Sequence, residues 1–186
     1  MPTPADTTGL ILAGGQSRRF GTDKALATLA GVPFVALVHA AVSAHAGAMR
    51  IATGAEPRTY PVPAQIVLDA RRDAGPLAGL VAGLEAAETP WLLAAAVDFP
   101  YLTPAALRPL VQAPTDGADV LVALDADGRR QPTCALWRVR TAAPVARGHL
   151  TADRLALRDL LGALAVREVP LEGGALYNVN APEDLR

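Results

Sequence analysis

The side chains of this chain that could do chemistry fall into separated groups: Gly14, Gly15, Ser17, Arg18, Arg19 and Lys24 in one short segment, the lone acids Asp69 and Asp98, and Asn178 with Asn180 near the end. The first group can hold an anion. Two adjacent glycines let the backbone turn sharply with nothing projecting above it, so successive N–H groups can point at phosphate oxygens while three nearby cations neutralise the charge. Asp98, in Ala-Val-Asp-Phe-Pro-Tyr, ends a continuous apolar run. A carboxylate there needs a cation or hydrogen-bond donors, and Mg²⁺ carrying phosphates is the usual partner; the plainer alternative is a cap on the next loop. Taken singly, Asp69 reads as a turn residue and Asn178-Val-Asn180 as an Asn-rich helix entry. A small phosphate-bearing ligand would give the first group and Asp98 a common partner.

Spacing excludes the two commonest glycine loops. Five residues separate Gly15 from Gly21, and Gly21 is followed by Thr22-Asp23-Lys24, so there is no Walker A loop; no Gly-x-Gly-x-x-Gly occurs there either.

The elements that must position these residues alternate along the chain. Residues 10–13 suit a short buried strand leading into the glycines, and Val32-Pro33 opens an apolar helix to about residue 46. Strands are expected at 49–53 and 65–69, the second ending on Asp69, after a stretch that Pro57, Pro61 and Pro63 keep irregular. Gly75-Pro76 starts a helix to about Glu88 with Gly75, Gly79 and Gly83 on one face, allowing close approach to a sheet. Residues 91–97 form a fully buried strand ending at Asp98, and Thr103-Pro104 caps a helix to about Gln112. Residues 118–124 and 131–138 read as an antiparallel hairpin across Asp125-Ala-Asp-Gly128. A helix from about Thr151 to Ala163, a strand at 166–170 and a short helix at Pro182 complete the chain.

This order implies right-handed βαβ units in a mainly parallel twisted sheet with one antiparallel hairpin, a three-layer Rossmann-like α/β fold in one domain, 1–186. Ligands of such sheets sit beyond the carboxyl ends of strands, which puts the glycine loop, Asp69 and Asp98 along one crevice despite their distance in sequence.

Composition narrows the partners. The 186 residues carry a net charge of −1 and a pI near 6.3, which argues against broad electrostatic binding to nucleic acid or anionic membrane and favours a small anion held locally. Although 51% of residues are hydrophobic, no apolar run approaches the roughly 20 residues a membrane span needs. The N-terminus lacks a basic region followed by an apolar core, and the single Cys134 cannot form an internal disulfide, so the expectation is a cytoplasmic protein. Cys134, Trp91 and Trp137 read as packing residues, and His39, His45 and His149 have no metal-ligand spacing.

The run Leu-Ala-Gly-Gly-x-Ser-x-Arg-x-Gly-x-Asp-Lys, from Leu12 to Lys24, resembles the signature of nucleotidyltransferases related to molybdenum cofactor guanylyltransferase. The resemblance covers nearly the whole chain. It implies a fold of the nucleotide-diphospho-sugar transferase type and Mg²⁺-dependent transfer of GMP from GTP to molybdopterin. Leu12, Ala13, Gly14, Gly15, Ser17, Lys24, Asp69 and Gly75 would bind the nucleotide, and Arg19, Lys24 and Asp98 would be catalytic. Asp98 and Asn180 would hold the metal, and Asn178, Asn180 and Arg154 or Arg158 the acceptor. Transient contact with other proteins of the cofactor pathway would follow. Thr53 stands where many relatives present an asparagine to the nucleotide. The Gly-Gly and Asp-Lys elements resemble the guanylyl branch more than the cytidylyl one. Transfer of another nucleotide, or to a sugar phosphate, is the alternative within the same chemistry; a nucleotide-binding module without catalysis is the alternative outside it.

Overall fold

The computed structural model describes residues 1–14, 23–69 and 71–185. Its strands are β1 (Thr7–Leu12), the two-residue pair β2 (Thr28–Leu29) and β3 (Val32–Pro33), β4 (Ala48–Ala52), β5 (Gln65–Val67), β6 (Trp91–Ala96), β7 (Val120–Leu124), β8 (Arg130–Arg138) and β9 (Val166–Pro170). The helices are α1 (Phe34–Ser43), α2 (Pro76–Ala86), α3 (Pro104–Gln112), α4 (Val139–Thr151) and α5 (Leu157–Gly162). Among the described residues, seven strands form one sheet in the order β5-β4-β1-β6-β8-β7-β9. β5, β4, β1 and β6 are parallel, β8 runs antiparallel between β6 and β7, and β9 pairs parallel with β7. The hairpin's second strand thus enters the middle of the sheet.

β1 and β6 are buried on both faces, as strands covered by helices on each side must be. α1 packs with α3 on one face, and α2 with α4 on the other, giving three layers around a core that includes Ile11, Leu92, Leu93 and Trp137. α2 comes close because it has no side chains at two points. A Cβ on Gly83 would lie 2.4 Å from Leu10 Cδ2, and one on Gly79 3.0 Å from the Ala52 Cβ. Thr103 caps α3 by accepting the Ala106 N–H at 3.1 Å. Trp137 and Cys134 are buried, and burial pushes the Cys134 thiol up to about 12, so it is an inert packing residue.

Three expectations are corrected. β1 begins at Thr7, because the hydroxyls of Thr7 and Thr8 are hydrogen-bonded to the Thr3 carbonyl and the Thr89 hydroxyl and so tolerate burial. Val32-Pro33 lies in β3, and α1 starts one residue later. The expected helix over 151–163 is replaced by α4 and the short α5, and Thr151 closes α4 instead of capping its successor. Pro144 and Gly148 punctuate the α4 sequence and obscure it. Its buried residues Ala142, Ala146, His149 and Leu150 nevertheless form a helical stripe.

A candidate nucleotide site at the carboxyl edge of the sheet

The parallel strands end along one edge, and their first residues beyond the sheet build the site. Hydrogen bonds from Ala13 N to Ala52 O (2.9 Å) and from Val97 N to Leu12 O (3.1 Å) keep β1 flanked to its last residue. Beyond it Gly14 meets Gly54: a Cβ on Gly14 would lie 3.0 Å from Gly54 N. Gly54 has φ +87°, a conformation open to glycine at little cost. Thr53 is fully buried and gives its hydroxyl proton to Glu56 O at 2.8 Å. It therefore shapes the turn that follows β4.

Asp69 follows β5, its N–H bound to Gly54 O at 2.9 Å. Its side chain turns inward beside Gly14 and Gly79. Burial raises the carboxyl pKa, opposed by a hydrogen bond from the Gly54 backbone. Buried Oδ1 finds no hydrogen-bond partner among the described residues. An unpartnered buried acceptor is costly, and Asp69 also borders a cavity. That cavity, of about 450 Å³, is lined by Gly14, Thr53, Gly54, Asp69, Arg72 and Gly75 among others, a volume suited to a small organic ligand. Gly75 precedes α2 at φ +63°, so the positive end of an 11-residue helix borders the space. Arg72 pairs with Glu56 at 3.5 Å, both largely exposed.

β5 and β6 are three strand spacings apart in the sheet, roughly 14 Å, so Asp98 lies at the same edge but away from Asp69. The Lys24 ammonium is 2.7 Å from Asp98 Oδ1, with the lysine side chain only 10% exposed. It also donates to Asn180 Oδ1 at 3.4 Å. Segments about 75 and 80 residues apart in sequence thus meet at one point.

Two arrangements hold this cluster in place. Asp23 accepts from Ala25 N (3.0 Å), Arg58 Nη1 (3.2 Å) and the Tyr60 hydroxyl (3.0 Å), tying the residue before Lys24 to the β4–β5 connection. Burial, reinforced by Asp23, pushes the Tyr60 phenol up to about 12, so it stays a donor. At the other end Val179 N bonds to Asp98 O at 3.0 Å, and Asp184 Oδ2 accepts from Asn180 N (2.7 Å) and Ala181 N (2.9 Å). Sequence reading missed Arg58, Tyr60 and Asp184; only Asp184 left a local signal, an acid spaced to cap the turn that begins at Ala181.

The remaining expected residues divide. Gly15, Ser17 and Arg19 lie outside the described residues. Asn178 is exposed beside Val179. Arg154 follows α4, its N–H on His149 O at 2.9 Å, next to Asp153, which pairs with Arg71. α4 begins beside the start of β6, where Arg138 pairs with Trp91, so its end and Arg154 return to the carboxyl edge, beside Arg71 of the cavity lining. Arg158 is 87% exposed and pairs with Asp159. Among the described residues no group of three or more His, Cys, Asp or Glu could hold a metal ion. One carboxylate and one amide oxygen, Asp98 and Asn180, are what Mg²⁺ uses when substrate phosphates and water fill its other positions, so these residues fit such an ion.

A model of the MobA-like NTP transferase domain matches residues 9–168. The chain is 37% identical to a molybdenum cofactor guanylyltransferase of Cupriavidus metallidurans, over 97% of this chain and 93% of that protein. It is 35% identical to one of Cereibacter sphaeroides, over 95% and 92%. The chain belongs to the MobA-like NTP transferase family. As a member it is an enzyme, a nucleotidyltransferase. The fold agrees with that of a molybdopterin-guanine dinucleotide biosynthesis protein A from Archaeoglobus fulgidus (TM-score 0.77, 21% identity, 95% of this chain and 94% of that one). It also agrees with that of a 2-C-methyl-D-erythritol 4-phosphate cytidylyltransferase from Thermus thermophilus (TM-score 0.67, 17% identity, 94% and 93%). Proteins named for different substrates share this fold, so the substrate must be argued from the site.

Proposed function

We propose that this nucleotidyltransferase transfers GMP from GTP to the terminal phosphate of molybdenum-bearing molybdopterin, with Mg²⁺, yielding the guanine dinucleotide form of the cofactor and pyrophosphate. The observation that carries the reading is the meeting of Lys24, Asp98 and Asn180 at the sheet edge that also holds the cavity lined by Asp69. The relatives' names supply the guanylyl and molybdopterin halves.

An oxygen of the acceptor phosphate attacks the α-phosphorus of GTP. The bond from the α-phosphorus to the bridging oxygen breaks, and pyrophosphate leaves with that electron pair. A phosphate monoester has its second pKa near 6, so the acceptor is mainly dianionic at neutral pH and needs no base. Lys24 and Arg19 neutralise the β and γ phosphates, and backbone N–H groups of the glycine segment hold their oxygens. A divalent cation held by Asp98 and Asn180 would supply charge stabilisation at the α-phosphate. Positioning and charge compensation account for most of such a reaction.

The test is pyrophosphate release with molybdopterin, Mg²⁺ and each nucleotide in turn. Release with GTP well above that with CTP, ATP or UTP is expected. A clear preference for CTP defeats the guanylyl assignment, and GTP binding without release under any condition defeats the catalytic one.

A further inference from the structure

We infer that Tyr60 and Arg58 are positioning residues for Lys24, acting through Asp23, which they anchor so that the lysine reaches Asp98. For turnover this rests on the reading above, in which Lys24 neutralises phosphates; the placement itself is a property of the chain. Lys24 is the only lysine in the sequence. Its side chain is a flexible four-carbon stem carrying a compact charge, with no planar fork to orient it. Such a group is preorganised only if the backbone it leaves from is fixed. Lys24 opens a three-residue 3₁₀ turn, Lys24–Leu26, and so short a turn has little stability of its own.

Asp23 supplies the anchor, and its two oxygens divide the contacts. Oδ1 accepts from Ala25 N at 3.0 Å and so caps the turn. Oδ2 accepts from the Tyr60 hydroxyl at 3.0 Å and from Arg58 Nη1 at 3.2 Å, 37 and 35 residues along the chain. The carboxylate is therefore a bridge from the turn to the β4–β5 connection, and the very next side chain reaches Asp98 at 2.7 Å and Asn180 at 3.4 Å. The two donors are unequal. Tyr60 is 7% exposed and the Arg58 side chain 37%, so water screens the arginine more and the phenol carries more of the hold. Arg58 also lines the cavity that holds Asp69. One connection thus borders that cavity and fixes the lysine. The two roles differ in kinetics: the cavity wall governs GTP binding, and the placement of the lysine governs the chemical step.

Because the chain has one lysine, an amine reagent reads its placement without any turnover. Labelling of Lys24 by trinitrobenzenesulfonate, quantified by mass spectrometry of its peptide, should run about tenfold faster in Tyr60→Phe than in wild type, the scale of one lost hydrogen bond to a charged acceptor. In Arg58→Gln it should run about two- to fivefold faster, the scale of a partly exposed ion pair. With GTP, molybdopterin and Mg²⁺, kcat for pyrophosphate release should fall about tenfold in Tyr60→Phe, less than on removing the lysine outright, with KM for GTP within about twofold of wild type. In a Lys24→Met background the same substitution should change kcat by less than about twofold, because the group it positions is gone. Unchanged labelling in both variants overturns the proposal. So does a loss of kcat in the Lys24→Met background as large as in wild type, or a rise in KM for GTP at unchanged kcat, which would make the connection a wall of the cavity only. If the wild-type chain releases no pyrophosphate with any nucleotide, the transfer reading fails, while the labelling rates still decide the placement.

Discussion

At the residue scale, the partly buried carboxylate of Asp69 carries a cost in stability. Its folded-state pKa is raised by burial, so the native protein holds that proton more tightly than the unfolded chain. The resulting contribution to stability falls as pH rises from the unfolded value, about 3.9, through the folded one. Above that window the cost of a buried charge is fully present. Asp69→Asn should therefore raise the melting temperature of the ligand-free protein at pH 7, with the difference closing below about pH 4. The same change should weaken GTP binding by about 1.5–3 kcal/mol if a charge-assisted hydrogen bond is lost. Calorimetry with GTP and ATP distinguishes contacts: equal losses point to the ribose, and a loss confined to GTP points to the base. A melting temperature lowered at pH 7, with GTP binding intact, would make Asp69 a structural turn residue. Lys24 carries a different conflict, since its ammonium occupies the Asp98 oxygen that a divalent cation would use. Lys24→Met should bind free Mn²⁺ at least about tenfold more tightly than wild type, by electron paramagnetic resonance, because like-charge repulsion is removed. Turnover should fall by roughly 10² to 10³, the scale for losing one preorganised donor. Unchanged Mn²⁺ affinity would show that the two cations do not compete for Asp98.

At the element scale, the position of α2 bounds the cavity beside Asp69 and Gly75. Gly83 faces fully buried Leu10, and a methyl group added there would stand 2.4 Å from a leucine methyl. Overpacking costs about 1–3 kcal/mol, and the helix-propensity gain of Gly to Ala returns up to about 1. Gly83→Ala should thus lower stability by about 1–2 kcal/mol in urea unfolding. Because Asp69 and Gly75 border the same helix, GTP affinity should fall with it. Stability equal to or above wild type would mean that the helix withdraws from the sheet without loss.

At the scale of the whole molecule, one edge of the sheet gathers candidate ligand groups from Gly14, Lys24, the residues after β4, β5 and β6, and the C-terminal segment. Binding there should stabilise the native state as a unit. GTP with Mg²⁺ at 100 times its dissociation constant should add about 2.7 kcal/mol, read as a concentration-dependent rise in melting temperature. Hydrogen exchange should slow at residues 12–14, 52–54 and 97–98 more than in β7 and β9. Equal slowing in β7 and β9 would place the nucleotide elsewhere.

Gly14 at the end of β1, the acids at strand ends and the order of strands and helices were legible in the sequence because they depend on local physics. Two glycines free a turn, an apolar run of strand length must be covered on both faces, and a helix face without side chains must approach something closely. The fold class and the carboxyl-edge location follow from those facts and the handedness of βαβ units. α4 escaped because Pro144 and Gly148 weaken its local signal, while its burial comes from packing against α2. Only the tertiary structure decided which residues meet: Lys24 with Asp98 and Asn180, Asp23 with Arg58 and Tyr60, and Asp153, beside Arg154, with Arg71. A hydrogen bond or ion pair between distant segments leaves no periodicity in either one, so its members look like ordinary surface or turn residues until the sheet brings the strand ends together.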